Sequence, residues 1–262
     1  MIKDNLQSEL DKHYNYGNDD WVRYSHRLRI NQLKELISVI SKEQKNGAKP
    51  RALDAGCGSG VYSILLAEAG YEVLAINIDE EEIKQSRTWA AEKGLSDNIE
   101  FRLEDLRNID SPESAFNLII CSEVLEHIDD SPNGAKELYR VLAKGGKAII
   151  SMPNMASLLG CLQLVFRKSG ARTLMGRPPL DHEQLQHSRF WFGNITKMLK
   201  DAGFEVNHRS SAYLVPFLWH LDNVLRPLIG DNAASYKIDH LLSRVPALRC
   251  TGYSFIIVAT KP

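Results

Sequence analysis

The sequence lacks the features that mark several large protein classes. Its four cysteines are scattered over 262 residues without a C-x-x-C pair, so neither a zinc site nor a disulfide framework is expected. The formal net charge is −1, which excludes the strongly basic surface typical of a nucleic-acid binder. No apolar run reaches the ~18 residues needed to cross a bilayer. Residues 1–20 also lack the apolar core of a signal peptide. We therefore expect a cytoplasmic protein without stable membrane insertion.

The chain does contain a long alternation of strand and helix signals. With 44% hydrophobic and 25% charged residues, it can form one sizeable α/β core. Short turns connecting alternating strands and helices imply right-handed crossovers and a parallel sheet. We predict a Rossmann-like, doubly wound sheet of seven strands, mostly parallel, with the last strand antiparallel. The strands are expected near residues 51–55, 72–78, 98–102, 116–122, 146–152, 204–206 and 253–259.

A glycine-rich turn follows the first of these strands. Glycines at every second position, Gly56, Gly58 and Gly60, permit positive φ and let a ligand approach bare backbone. The helix that follows offers unpaired N–H groups at its start. The dinucleotide fingerprint would require glycine where Val61 stands. The turn therefore suits a nucleotide or an amino-acid-like cofactor other than a dinucleotide.

Two stretches resemble class I S-adenosylmethionine-dependent methyltransferases. The pattern Asp-x-Gly-x-Gly-x-Gly at 54–60 resembles the first motif of that family. The string Glu-Val-Leu-Glu-His at 123–127 closely resembles the fourth motif of its small-molecule members, notably the ubiquinone-pathway O-methyltransferase group. The resemblance covers residues 50–152 most strongly. It implies S-adenosylmethionine as the cofactor and a small-molecule acceptor, with a hydroxyl oxygen as the favoured methyl acceptor.

The resemblance also implies roles for single residues. Asp54 would hold the cofactor's ammonium, directly or through water, and Asp105 would accept from the adenine amino group while Leu106 donates its backbone N–H to the ring. Asn77 stands where the family has an acid for the ribose hydroxyls, and Asp79 is assigned mainly to capping the next helix. The implied cofactor contacts are Asp54, Gly56, Cys57, Gly58, Gly60, Asn77, Ile78, Asp105, Leu106, Ser122 and Glu123.

Histidines are the candidates for proton transfer. A hydroxyl acceptor is helped by a general base, and histidine has a suitable pKa. We predict His187 and His127 as catalytic residues, with His182 as a further candidate. Some relatives hold a divalent cation with two such acids, the histidine of this string and a further histidine downstream. Glu123, Glu126 and His127 could do so if they share a helix face, with His182 or His187 as the last ligand. We favour instead that Glu123 caps a helix and His127 packs beneath the cofactor loop, without a metal.

The predicted domains are an N-terminal helical cap at 1–50 and a methyltransferase domain at 51–262. The cap helix either packs on the sheet edge or forms a flap, with Tyr16 or Arg29 reaching the cofactor carboxylate. Lid insertions are expected at about 155–190 and 212–250. Their apolar and basic residues are compatible with a hydrophobic or lipid-linked acceptor, although a plain lid core with a basic solvated face is the favoured explanation of this composition.

Three other functions fit the sequence less well. The fifth strand ends in Ser-Met-Pro-Asn at 151–154. It is not the Asn-Pro-Pro-Tyr or Asp-Pro-Pro-Tyr of enzymes that methylate exocyclic amines of flipped bases, which argues against DNA as acceptor. An NAD-dependent oxidoreductase on a similar sheet is disfavoured by Val61. A non-catalytic cofactor-binding protein is the remaining alternative, supported by the missing acid at Asn77.

Overall fold

The computed structural model describes residues 20–43, 49–154, 192–212 and 251–262, with positions 238, 241, 242, 245 and 248. The helices are α1 (Asp20–Glu43), α2 (Val61–Glu68), α3 (Glu80–Glu92), α4 (Ser131–Val141) and α5 (Phe192–Asp201). The strands are β1 (Arg51–Ala55), β2 (Glu72–Asn77), β3 (Ile99–Leu103), β4 (Phe116–Ser122), β5 (Leu142–Pro153), β6 (Glu205–Ala212) and β7 (Ser254–Thr260). Short 3₁₀ turns occupy Ser96–Asn98 and Leu125–His127.

The seven strands form one sheet in the order β3-β2-β1-β4-β5-β7-β6. Six strands run in the same direction, and β7 runs against both of its neighbours. The chain winds outward from β1 in two directions, so the order reverses between β1 and β4. Ligands of such sheets bind beyond the carboxyl ends of the strands at that reversal. The predicted fold class is confirmed.

Two hydrophobic layers hold the helices on the sheet. Neighbouring strand residues point to opposite faces, so Ala52 packs on one side and Leu53 on the other. Helices α1, α2 and α3 cover the first face, and α4 and α5 cover the second. Trp89 of α3 is fully buried, and a buried aromatic side chain of this size contributes about 2–3 kcal/mol by area. Among the described residues, the carboxyl ends of β1 and β2 border an open cleft.

Helix α1 belongs to the first layer. Its buried apolar residues include Leu28, Leu33 and Ile37, and Gln32 Nε2 donates to the carbonyl oxygen of Ser211 in β6 at 3.4 Å. The described part of the predicted cap therefore packs beside the edge strand. Tyr16 lies outside the described residues, as does nearly all of the two predicted lid insertions. Among the described helices, none is both long and apolar enough to cross a membrane.

Two strands are longer than the sequence pattern predicts. β5 begins at Leu142 rather than near residue 146, because Gly145 and Gly146 lie in a bulge inside the strand. The register with β4 shifts between Phe116 and Leu118. Gly145 has a φ of +75°, which suits such a bulge. β6 extends to Ala212 because it pairs with β7 along its whole length. Its polar residues are tolerated since it is an edge strand.

Candidate active site

The glycine turn between β1 and α2 forms the base of the site. Gly56 and Cys57 both donate their N–H to the carbonyl oxygen of Ile76 at 2.9 Å. Gly56 has a φ of +79°, and a Cβ there would lie 2.4 Å from Val124 Cγ2, so packing alone requires glycine. Gly58 has a φ of +49°, and the nearest atom to a Cβ there is a Glu82 carboxylate oxygen at 3.9 Å. Gly58 is therefore the position at which a ligand can approach the backbone.

The side chains of Asp54 and Cys57 point away from the open side of the turn. Asp54 is 1% exposed, and its Oδ2 accepts from Ser63 Oγ at 2.6 Å. Burial raises the pKa of Asp54 to about 7, although the hydrogen bonds from Ser63 oppose the shift. Cys57 is buried and burial raises the pKa of its thiol. Asp54 thus braces the start of α2 beneath the turn, and its contact with the cofactor ammonium stays a prediction.

A cleft opens between the glycine turn and the ends of β2 and β3. It encloses about 450 Å³, part of it open to solvent. Five of the predicted cofactor residues come together here, and the walls are mostly apolar. Ile78 is 74% exposed at its mouth, which suits contact with a flat ring. The lining residues are Gly56, Ile76, Asn77, Ile78, Glu104, Asp105, Leu106, Arg107, Val124 and Ile128.

Asn77 has hydrogen bonds on both sides of its amide. Its Oδ1 accepts from the N–H of Ile78 at 3.0 Å, and its Nδ2 donates to Glu82 Oε2 at 2.5 Å. The predicted helix cap is confirmed, because Asp79 Oδ1 accepts from the N–H groups of Glu81 and Glu82 at 2.9 and 3.0 Å. Glu82, three residues after Asp79, turns its carboxylate back toward Asn77.

Asp105 faces the same cleft, where it forms an ion pair. Arg107 Nη2 lies 2.6 Å from Asp105 Oδ2, and the backbone N–H of Arg107 also donates to Oδ1. The Arg107 hydrogen bonds hold the pKa of Asp105 below its usual value. The carboxylate is therefore ionised and at the mouth of the cleft, as an acceptor for an amino group requires, although a ligand would share it with Arg107.

A polar cluster lies at the ends of β4, β5 and β7. Glu123 adopts a φ of +57° and donates its N–H to Ser151 O at 2.9 Å. Its carboxylate accepts from Ser254 Oγ at 3.0 Å and lies 3.3 Å from Arg29 Nη1. Arg29 is a buried residue of α1. Ser122 Oγ lies 2.7 Å from Ser151 Oγ, and it donates to Tyr62 Oη of α2 at 3.3 Å. The cluster thus brings a buried cation to the carboxyl edge of the sheet.

The charges of this cluster change the ionisation of their neighbours. Burial raises the pKa of Tyr62, the second residue of α2, while the nearby Arg29 guanidinium opposes the shift. Glu126 is 2% exposed, and its Oε2 accepts no hydrogen bond from the part of the chain that the structure describes. Burial raises the pKa of Glu126 well above its usual value, and the charge of Glu123 adds to the effect.

The helix face that a metal site on Glu123 and His127 would need does not form, and the favoured expectation that Glu123 caps a helix is also wrong. A positive φ at Glu123 prevents a helix from starting there, so Leu125–His127 is a 3₁₀ turn in which Glu126 is buried and His127 exposed. Within the described ranges, no three His, Cys, Asp or Glu side chains gather as a metal site. His127 is exposed rather than packed beneath the cofactor loop, and its catalytic role stays a prediction. His182 and His187 lie outside the described residues.

The sequence did not predict three side-chain contacts that hold the site together: Glu82 with Asn77, Arg29 with Glu123, and Ser254 with Glu123. The position of Glu82, one helical turn beyond the end of β2, was a usable signal that it could fold back over Asn77. The contact of Arg29 with Glu123 had no such signal. The contact between Glu123 and Ser254 joins residues 131 positions apart, which no local pattern can indicate.

Comparisons with known proteins identify the family of this chain. A family model described as a methyltransferase domain matches residues 24–209. Ubiquinone biosynthesis O-methyltransferase of Rickettsia felis is 26% identical over 226 residues, which is 83% of this chain and 88% of that protein. The protein of the same name from Xylella fastidiosa is 32% identical over 157 residues, 59% of this chain and 62% of that protein.

A solved structure supports the fold. Magnesium protoporphyrin IX methyltransferase from Synechocystis PCC 6803, solved with bound SAH, has a TM-score of 0.61 at 18% identity, covering 99% of this chain and 95% of that one. None of these matches supports the oxidoreductase or the non-catalytic alternative. Because the family model spans well over half of the chain, including the glycine turn and the end of β4, the chain belongs to the class I S-adenosylmethionine-dependent methyltransferases.

Proposed function

We propose that this methyltransferase acts on a hydroxyl oxygen of a small, hydrophobic or lipid-linked acceptor. The observation that carries the proposal is the similarity to ubiquinone biosynthesis O-methyltransferase, which extends over 88% of the Rickettsia felis protein. The Glu-Val-Leu-Glu-His string lies within the matched family domain, at the end of β4. An acceptor at the carboxyl ends of β4 and β5 would lie beside the apolar cleft.

The cleft fits an adenosyl group. Ile78 would pack against the adenine ring, and Leu106 would donate its backbone N–H to the ring. Asp105 would accept from the adenine amino group. Gly58 presents bare backbone beside the ribose. These assignments suit the cleft's mixture of apolar walls and one ionised carboxylate, which is the usual chemistry of a small-molecule site.

The other end of the cofactor carries a carboxylate and an ammonium. We propose that Arg29 neutralises the carboxylate, because its guanidinium already lies beside Glu123 and interacts with Tyr62 at the start of α2. Asp54 would balance the ammonium, directly or through water. A buried guanidinium held by a carboxylate is oriented before the ligand arrives, which reduces the cost of ordering it.

The protein's contribution to the reaction is positional. S-adenosylmethionine supplies an electrophilic methyl group whose bond to sulfur breaks as the bond to the acceptor oxygen forms. The chain aligns the acceptor in line with that bond and excludes water. We propose His187 as the general base that accepts the hydroxyl proton, with His127 as the second candidate.

A comparison of acceptors tests the proposal. The purified protein would be incubated with S-adenosylmethionine and a phenol carrying a short isoprenoid chain. Parallel reactions would contain the same molecule with its hydroxyl already methylated, the corresponding aniline, and the phenol without the chain. We expect S-adenosylhomocysteine to form fastest with the prenylated phenol and not with the methylated control. Preference for the aniline would overturn O-methylation, and equal rates without the chain would overturn the hydrophobic acceptor.

A further inference from the structure

The ribose position of this site lacks the expected charged acceptor. The two hydroxyls of a ribose diol are donors, and a carboxylate binds both well because hydrogen bonds to charged groups are the stronger ones. β2 ends in Asn77, whose amide oxygen already accepts from Ile78 N at 3.0 Å. The amide nitrogen of Asn77 can only donate. The end of β2 itself therefore supplies no carboxylate to the ribose.

Glu82 brings a carboxylate to the same place from the neighbouring helix. Its Oε2 lies 2.5 Å from Asn77 Nδ2 and would lie 3.9 Å from a Cβ on Gly58. It is also close enough for its charge to raise the pKa of the Cys57 thiol. The carboxylate thus lies between the end of β2 and the open side of the glycine turn.

The helix holds Glu82 in this position. Asp79 caps the first turn of α3, and Ser86 Oγ lies 2.7 Å from Gly58 O and 2.8 Å from Glu82 O, which joins the helix to the glycine turn. Glu82 Oε1 is not engaged in any hydrogen bond within the described ranges, so one oxygen is available to a ligand. The adjacent Glu81 instead lies near Lys84, at 3.9 Å.

We infer that Glu82 is the residue that binds the ribose hydroxyls of the cofactor, and that Asn77 positions it. The inference rests on the adenosyl group lying in this cleft, as in the proposed function. Asn77 stands where the family has its strand-end acid, and Glu82 of α3 supplies the carboxylate instead. The side-chain amide of Asn77 orients that carboxylate. The non-catalytic alternative took its support from the missing acid, and Glu82 removes that support.

Titration calorimetry with two ligands tests the inference. S-adenosylhomocysteine and its 2′,3′-dideoxy analogue would be titrated into the wild-type protein, Glu82→Gln and the matched control Glu81→Gln. We expect Glu82→Gln to weaken S-adenosylhomocysteine about tenfold, the size of one lost charge-assisted hydrogen bond at a partly exposed site. The dideoxy analogue should bind both proteins within about twofold, because it has no hydroxyl to lose. Glu81→Gln should bind both ligands as the wild type does.

A reciprocal exchange gives a second, independent readout. In the double variant Asn77→Asp/Glu82→Gln, the amide at position 82 would donate to the carboxylate at position 77, and the net charge is unchanged. We expect this variant to recover most of the affinity lost by Glu82→Gln. Equal weakening of both ligands, or no weakening of either, would overturn the inference. Failure of the wild type to bind S-adenosylhomocysteine would instead overturn the cofactor placement on which it rests.

Discussion

Replacing the buried Asp54 by asparagine should stabilise the protein at neutral pH and weaken cofactor binding. Asp54 is enclosed beneath the glycine turn, with hydrogen bonds from Ser63 alone among the described residues. Burial raises the pKa of Asp54 from 3.8 to about 7. At about 1.4 kcal/mol per pH unit, ionised Asp54 therefore costs the fold about 4 kcal/mol above pH 7.

The sign of this contribution follows from proton binding. Between about pH 4 and pH 7 the folded state keeps the Asp54 proton and the unfolded state has lost it, so the free energy of unfolding falls as the pH rises. Above about pH 7 the contribution is constant. An asparagine side chain cannot ionise, which would remove this dependence; its amide would leave one donor unsatisfied, at a cost of about 1–3 kcal/mol. The variant Asp54→Asn should gain about 1–3 kcal/mol at pH 8 and lose a similar amount near pH 4.

Urea unfolding followed by tryptophan fluorescence at pH 4.5, 6, 7 and 8 measures this crossover. Other titrating groups are common to both proteins, so the difference between them isolates Asp54. The same substitution at the exposed Asp97, at the opposite end of the sheet, should change the free energy of unfolding by less than about 0.5 kcal/mol. Parallel pH profiles for Asp54→Asn and the wild type would refute the buried-carboxyl argument.

The same variant tests the proposed ammonium contact. If Asp54 holds the cofactor ammonium, Asp54→Asn should weaken S-adenosylmethionine at least about tenfold at pH 8. In the wild type, affinity should rise with pH up to about 7, because binding an ammonium requires the ionised carboxylate. Gained stability with unchanged affinity would leave Asp54 as a structural residue only.

Three further substitutions test other parts of the site. Gly56→Ala should cost about 2–4 kcal/mol in urea unfolding, because it combines positive φ with a clash against Val124, and Val124→Ala in the same chain should recover part of the loss. Asp105→Asn should weaken S-adenosylmethionine about tenfold in calorimetry, and unchanged affinity would remove the adenine contact. Arg29→Ala should cost about 3 kcal/mol by leaving Glu123 unpaired; recovery on adding Glu123→Gln would confirm that the charge is responsible.

The sequence was sufficient for the fold because its signals are local. The buried strands are short apolar runs, and the turn glycines adopt the positive φ values that their spacing predicts. The cap by Asp79 also follows from neighbouring residues. The full lengths of β5 and β6 did not follow, since each extends only because β4 or β7 lies beside it.

The site was predicted less completely, for the same physical reason. Five predicted residues after β1, β2 and β3 line one cleft, because each motif follows its own strand; their contacts with the cofactor stay predictions. The expectation that Glu123 caps a helix was wrong, because Glu123 has a φ of +57° and is followed by a short 3₁₀ turn. Its partners, Arg29 and Ser254, come from opposite ends of the chain, and only the sheet order brings them together.

The buried carboxylates at the carboxyl edge of the sheet are costly to the fold, which supports a binding role for them. Asp54 and Glu126 are fully buried, and burial raises the pKa of both. A fold selected for stability alone would place apolar residues there, since replacing buried charges by apolar groups of similar size is often stabilising. Glu123, by contrast, is paired in advance with Arg29. If Asp54 holds the cofactor's ammonium, as proposed, the arriving positive charge would stabilise its ionised carboxylate, and part of the binding free energy would come from relieving a cost that the folded chain already carries.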